Sequence, residues 1–190
     1  TGAILYANNP FDPSDVNSGC SAVLVGCTTL ITAAHCVCPD DADNASACVA
    51  EGLVDPSTMS VLLQHAGFFR VVSIALNPSY QFGVGSDIAM IKLAAPVSGI
   101  TPSRINTTAA PAAGTAGTIV GFGISADNAT DSGLKRVGKV VTARCDSPIP
   151  NSTHGCWSFV DPVGLPGEDS NTCNGDSGGP LFINFGDGDR

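Results

Sequence analysis

The sequence predicts an all-β protein built as two sheet units joined by a connector. Three observations predict it. Short runs rich in β-branched and aromatic residues recur, Gly, Pro, Asn and Asp punctuate them, and no segment sustains a 3.6-residue apolar period. Ala3–Tyr6 comes first and is closed by Asn-Asn-Pro. Ala22–Val25 and Thr29–Ala33 follow as a hairpin with its turn near Cys27–Thr28. Ser60–Leu63 stands after an Asp-Pro-Ser-Thr cluster, Phe68–Ala75 opens after Gly67, and Ile88–Leu93 follows Gly-Val-Gly-Ser-Asp. The stretch from Ala94 to Gly117 is dominated by Ala, Pro, Thr and Gly and reads as the connector. Four more runs succeed it, at Thr118–Phe122, Arg136–Ala143, Trp157–Val160 and Leu181–Phe185. Alternating strands and turns around a linker point to two barrels and contain no tandem short repeat.

Composition narrows the functional classes. With 190 residues, 43% hydrophobic and 13% charged, the chain can bury a core and is not disordered. Its eight Lys and Arg form no run against a net charge of −9, which excludes nucleic acid and anionic membranes as expected partners. The longest apolar stretch, Ser21 to Cys38, carries Thr28, Thr29, Thr32 and His35 around a turn and is not a membrane span. Eight cysteines indicate disulfides and an oxidising, extracellular compartment, so the protein is expected to be secreted. Asn-x-Ser/Thr triplets at Asn44, Asn106, Asn128 and Asn151 carry little weight in a chain so rich in Ser and Thr.

Three local motifs carry chemistry when taken together. Thr32-Ala33-Ala34-His35-Cys36 places a histidine after an apolar strand, and such a histidine alone is more often structural. Asp87-Ile88-Ala89-Met90-Ile91-Lys92-Leu93 opens a strand with an aspartate, alone usually a turn residue. Cys173-Asn174-Gly175-Asp176-Ser177-Gly178-Gly179-Pro180 is far more specific. A serine hydroxyl needs a base within hydrogen-bond reach, a histidine suits that task, and a carboxylate fixes the histidine's tautomer. Glycines beside the serine allow a sharp turn whose amides converge on a developing oxyanion.

In this order the motifs resemble the trypsin/chymotrypsin family of serine endopeptidases. Gly121-Phe122-Gly123 is similar to the family's Gly-Trp-Gly, and Asn77-Pro78-Ser79-Tyr80 to its approach to the aspartate. The resemblance spans Cys20 to Pro180. It implies two six-stranded antiparallel Greek-key β-barrels, at residues 1–98 and 117–190 with a linker at 99–116. It implies Ser177 as nucleophile, His35 as base and then acid, Asp87 as the orienting carboxylate, and the amides of Gly175 and Ser177 as oxyanion donors. Neither cofactor nor metal is expected. The expected partners are protein or peptide substrates and protein protease inhibitors, and the expected state is a monomer. A non-catalytic homologue acting as a binding module is the alternative, and a disulfide-stapled structural domain is a third.

The family has a disulfide where Cys20 and Cys36 stand, and the hairpin turning near Cys27 would bring them together. By the same comparison Cys145 pairs with Cys156. Cys38 and Cys48 flank the acidic loop from Asp40 to Asn44 and are expected to pair, while Cys27 and Cys173 lack an obvious partner. A zinc site of His35, Cys36, Cys38 and Cys48 is disfavoured by the absence of Cys-x-x-Cys units, and the acidic loop lacks the Gly and Glu of an EF-hand. Relatives extend well past the thirteen residues that follow Ser177, so the second barrel is expected to be incomplete. They also begin upstream of Thr1 with an Ile-Val-Gly-Gly type sequence, whose amino group pairs with the residue equivalent to Asp176. The isolated chain is therefore expected to be weakly active or inactive. The specificity-pocket floor falls at Asn171 and Thr172, which does not favour basic substrate side chains, although a loop shifted by two residues would put Asp169 there.

Overall fold

Burial along the strands alternates with the period of two that a pleated sheet imposes. In β4 (Met59–Leu63) Met59, Val61 and Leu63 are buried, and in β6 (Ala89–Leu93) Ala89, Ile91 and Leu93 face inward while Met90 and Lys92 face solvent. The computed structural model describes residues 1–7, 16–107, 109–151, 154–157, 170–186 and 188. Most of Trp157–Val160, with Glu168, Asp169 and Arg190, lies outside the described residues.

Six strands close the first unit: β1 (Gly2–Ala7), β2 (Val16–Gly26), β3 (Thr29–Thr32), β4, β5 (Gly67–Leu76) and β6. Their order around the barrel is β1-β2-β3-β6-β5-β4, each neighbouring pair antiparallel, and β4 pairs back onto β1. Closure removes the open edges that would otherwise template aggregation. Register shifts between Ile4 and Leu5 and between Val71 and Ser73 add the local twist that closure needs. The core is continuous through Ile4, Leu24, Leu30, Val61, Leu63 and Ile91.

Because β3 pairs with β6 and not with β4, the chain after β3 must cross one end of the barrel. That crossover holds a 3-10 turn at Ala34–Val37 and a helix, α1 (Ala45–Glu51). No apolar period announces α1, because seven residues are too few to display one. Local caps define it instead. Asn44 Oδ1 accepts from Ala47 N at 3.0 Å, and Gly52, at φ 100°, donates its N–H to Cys48 O.

Among the described residues the second unit is a four-stranded antiparallel sheet, β7 (Ala116–Gly121), β8 (Arg136–Ala143), β9 (Cys156–Trp157) and β10 (Leu181–Ile183), in the order β10-β7-β8-β9, where six strands were expected. It is only partly closed. Phe122, just after β7, packs between the units against Ala3 and Leu5.

Alternation within β6 gives a direct test. Ile91, with no exposed surface, is expected to lose about 2–5 kcal/mol on replacement by Ala. Met90→Ala, one residue away and 50% exposed, is expected to change stability by no more than about 0.5 kcal/mol. Urea unfolding of both variants checks the contrast, and equal losses would contradict the register.

Candidate active site

Strand register brings the histidine and the aspartate together. Thr32 at the end of β3 is paired with Ala89 at the start of β6. Residues just past Thr32 and just before Ala89 therefore emerge side by side at the same end of the barrel. Asp87 holds His35 at two points: its Oδ1 accepts from the His35 backbone N–H at 3.0 Å, and its Oδ2 lies 2.7 Å from Nδ1. One carboxylate thus fixes both the peptide and the ring. With the proton on Nδ1 facing Asp87, the lone pair of the neutral ring falls on Nε2.

Partial burial opposes the charged form of Asp87. The hydrogen bonds from the His35 side chain and backbone, the charge of His35 and a further bond from Ala34 outweigh it, holding the carboxyl below its ordinary range. The loop before β6 is docked on the crossover. Tyr80 is buried and donates its hydroxyl to Ala42 O, and Phe82 N–H donates to Asp43 O at 2.8 Å. Phe82 then presents its ring edge-on to His35, with centroids 5.6 Å apart at 84°. Nothing in the sequence singles out Phe82, because its contact with His35 depends on how this loop folds back.

The serine motif forms a tight loop before β10. Leu181 pairs with Ile119, so the residues preceding β10 run back beside the end of β7. Successive carbonyls of the loop are each engaged. Asn174 O accepts from Ile124 N at 2.9 Å, Gly175 O from Ser21 Oγ at 2.9 Å, Asp176 O from Gly179 N at 2.8 Å and Ser177 O from Ser21 N at 2.8 Å. In a planar trans peptide the N–H points opposite the C=O. The amides of Gly175 and Ser177 are therefore aimed away from these contacts, and among the described residues neither has an acceptor. The Ser177 carbonyl also lies 3.7 Å from Cys36 Sγ, next in sequence to His35; that sulfur is in a disulfide and has no proton, so the contact is packing.

Glycine is required where the loop meets its surroundings. Gly178 has φ +80°, and a Cβ there would fall on Thr32 Oγ1 and Ser21 O. A Cβ on Gly121 would fall on the Asp176 carboxylate, which spans the loop by accepting from Gly123 N at 2.8 Å and Cys173 N at 2.9 Å. The glycines of Gly121-Phe122-Gly123 thus make room for that carboxylate.

Disulfides join Cys20 to Cys36, Cys38 to Cys48 and Cys145 to Cys156. Cys20, His35 and Cys36 bring potential ligand atoms within 4.8 Å, but the paired sulfurs offer no thiolate to a metal. Cys27, at the β2–β3 turn, and the half-buried Cys173 are thiols. Asn171 and Thr172 are exposed, and the Asn171 side chain accepts from Thr172 N at 2.9 Å.

The profile of the Trypsin family matches residues 6–187. A trypsin-like protease of Streptomyces glaucescens is 30% identical over 177 residues, covering 88% of this chain and 60% of that protein. A brachyurin of Leptuca pugilator is 30% identical over 175 residues, covering 87% of this chain and 71% of that protein. The chain thus spans less than two thirds of the length of the Streptomyces relative.

Two outcomes follow from these contacts. Gly178→Ala is expected to lower stability by at least about 1–3 kcal/mol, from the positive φ plus the clash with β2 and β3, as read from thermal or urea unfolding. Asp87 gives a pH dependence. Its carboxyl is depressed on folding, so its contribution to stability is complete above the ordinary carboxylate range and disappears as pH falls through the folded value. The stability advantage of wild type over Asp87→Asn is therefore expected to shrink on acidification, and a pH-independent advantage would contradict the coupling.

Proposed function

The chain belongs to the trypsin family, and from that premise we propose that the protein is a secreted serine endopeptidase acting through Ser177, His35 and Asp87. The single observation that carries the reading is the two-point grip of Asp87 on His35, at 2.7 and 3.0 Å, beside a loop whose glycines and engaged carbonyls surround Ser177. A carboxylate that fixes Nδ1 leaves Nε2 as a base of defined direction.

In this mechanism His35 Nε2 takes the Ser177 hydroxyl proton as Oγ bonds to the scissile carbonyl carbon. The carbonyl oxygen gathers negative charge and accepts from the amides of Gly175 and Ser177. His35 then gives its proton to the leaving nitrogen as the C–N bond breaks, and the acyl group remains as an ester on Ser177. Water, deprotonated by His35, attacks that ester, the C–O bond to Ser177 breaks, and His35 returns the proton to Ser177 Oγ as the acid product leaves. Asp87 stays ionised throughout and stabilises the imidazolium.

The substrates are proteins or peptides. With Asn171 and Thr172 as the pocket floor, those positions supply no carboxylate to select Lys or Arg, whereas a loop shifted by two residues would place Asp169 there. Asp176, already gripping two backbone amides, is the counter-ion for a processed amino terminus. Three disulfides suit an extracellular protein.

Treatment of the full-length gene product with a fluorophosphonate, followed by peptide mapping, is expected to place one label on Ser177. Ser177→Ala is expected to abolish it, and Asp87→Asn to slow it by about 10⁴-fold, a magnitude taken from the family's archetype and not from this geometry. A folded wild-type protein that takes up no label would overturn the reading.

A further inference from the structure

The nucleophile loop carries two glycines at positive φ, Gly175 at 95° and Gly178 at 80°. Glycine has the widest backbone freedom of any residue, so the loop's internal bonds, from Asp176 N to Cys173 O and from Gly179 N to Asp176 O, need support from outside it. Ile124 N and Gly123 N give part of it, on Asn174 O and the Asp176 carboxylate. The contact with Gly175 O and Ser177 O comes from β2, in the other unit, through one fully buried residue, Ser21.

Ser21 reaches the loop by two routes. Its backbone N–H donates to Ser177 O at 2.8 Å, and its hydroxyl donates to Gly175 O at 2.9 Å. The same hydroxyl accepts from Phe122 N at 2.9 Å, just past the end of β7. Its own carbonyl is fixed by Thr32 Oγ1 at 2.8 Å, at the end of β3. One side chain therefore joins β2 to the loop and to the strand the loop runs beside.

We propose that Ser21 is a positioning residue for the reaction: its hydroxyl sets the rotation about Gly175 and so the aim of the amides that receive the oxyanion. The inference rests on the reading of Ser177 as nucleophile. The hydroxyl acts on the peptide between Gly175 and Asp176, whose N–H donates to Cys173 O at 3.0 Å. Locking that peptide fixes ψ of Gly175, which lies between the two amides assigned to the oxyanion. Ser21 touches no reacting atom. A serine suits the task, because its hydroxyl can donate to one backbone group while accepting from another. An alanine would keep the Cβ, leave Gly175 O and Phe122 N without their partner, and leave the peptide held from its Asp176 N–H side alone.

The test is the rate of phosphonylation of Ser177 by a fluorophosphonate, separated into kinact and KI, in the full-length gene product. The phosphonyl oxygen needs the same amides as the oxyanion, whereas KI reports binding of the reagent. Ser21→Ala is expected to lower kinact by about 10-fold to 100-fold, less than the loss of a direct oxyanion donor, while KI stays within about twofold. The pH midpoint of labelling is expected to stay with the wild type, since the His35–Asp87 pair is untouched. A purely structural loosening would move KI and the pH midpoint together with kinact, and that result overturns the proposal. Unchanged kinact in Ser21→Ala also overturns it.

If Ser21→Ala shows no cooperative thermal transition above the assay temperature, Ser21→Gly carries the same test, because it vacates the side-chain volume to water. A fall in kinact of at least about threefold with KI retained then supports the proposal, and an unchanged kinact overturns it. Labelled wild type with an equally fast Ser21→Ala removes this inference alone. Wild type that takes up no label removes the nucleophile reading, and this inference falls with it.

Discussion

The pairing of β3 with β6 is the constraint on which the rest of the site depends. Thr32 stands opposite Ala89 because the barrel closes in the order β1-β2-β3-β6-β5-β4. Had β3 paired with β4, the crossover that holds His35 would have been a hairpin loop with no reason to approach residue 87. The same pairing makes the crossover long enough to carry α1 and the Cys38–Cys48 disulfide, on which the loop before β6 docks through Tyr80 and Phe82. Barrel closure and the histidine–carboxylate contact are thus one event. A change that slipped this register by one residue would turn Ile91 to solvent and move Asp87 from His35 together.

The second constraint is backbone accounting around Ser177. Backbone carbonyls drawn out of water need donors, and those of this loop, exposed or half-buried, find them in Ile124, Gly179 and Ser21. Peptide planarity then dictates where the amides of Gly175 and Ser177 point. The glycines permit the turn, but they do not select it. Selection comes from contacts made across the two units, where the buried Phe122 and Ser21 meet. Close approach also explains Gly121 and Gly123, which leave the Asp176 carboxylate room to bridge the loop.

Much of this was legible in the amino-acid order, for physical reasons that differ by element. Strands such as Arg136–Ala143 and Ser60–Leu63 show themselves because short runs of apolar and β-branched residues stand between turn formers. The motif around Ser177 is legible because tight turns demand glycine at particular places, and that demand leaves a fixed string. The helix at Ala45–Glu51 was not, since its caps, Asn44 and Gly52, are common in any loop. Val16–Ser21 extended β2 well before the apolar run that marks it, because Asn17 and Ser18 pair with Tyr6 and Leu5 while Gly19 falls at the register shift.

The chain by itself determined an all-β architecture, the expectation of disulfide pairing and the residue types needed for nucleophilic chemistry, because each depends on local composition or on a short string. Only the tertiary structure decided that β3 meets β6, that Phe82 lies edge-on to His35, and that Ser21 spans the junction. Those are contacts between residues far apart in the chain. Their partners are chosen by barrel closure and by the need to satisfy buried backbone groups, neither of which leaves a pattern near the residues concerned.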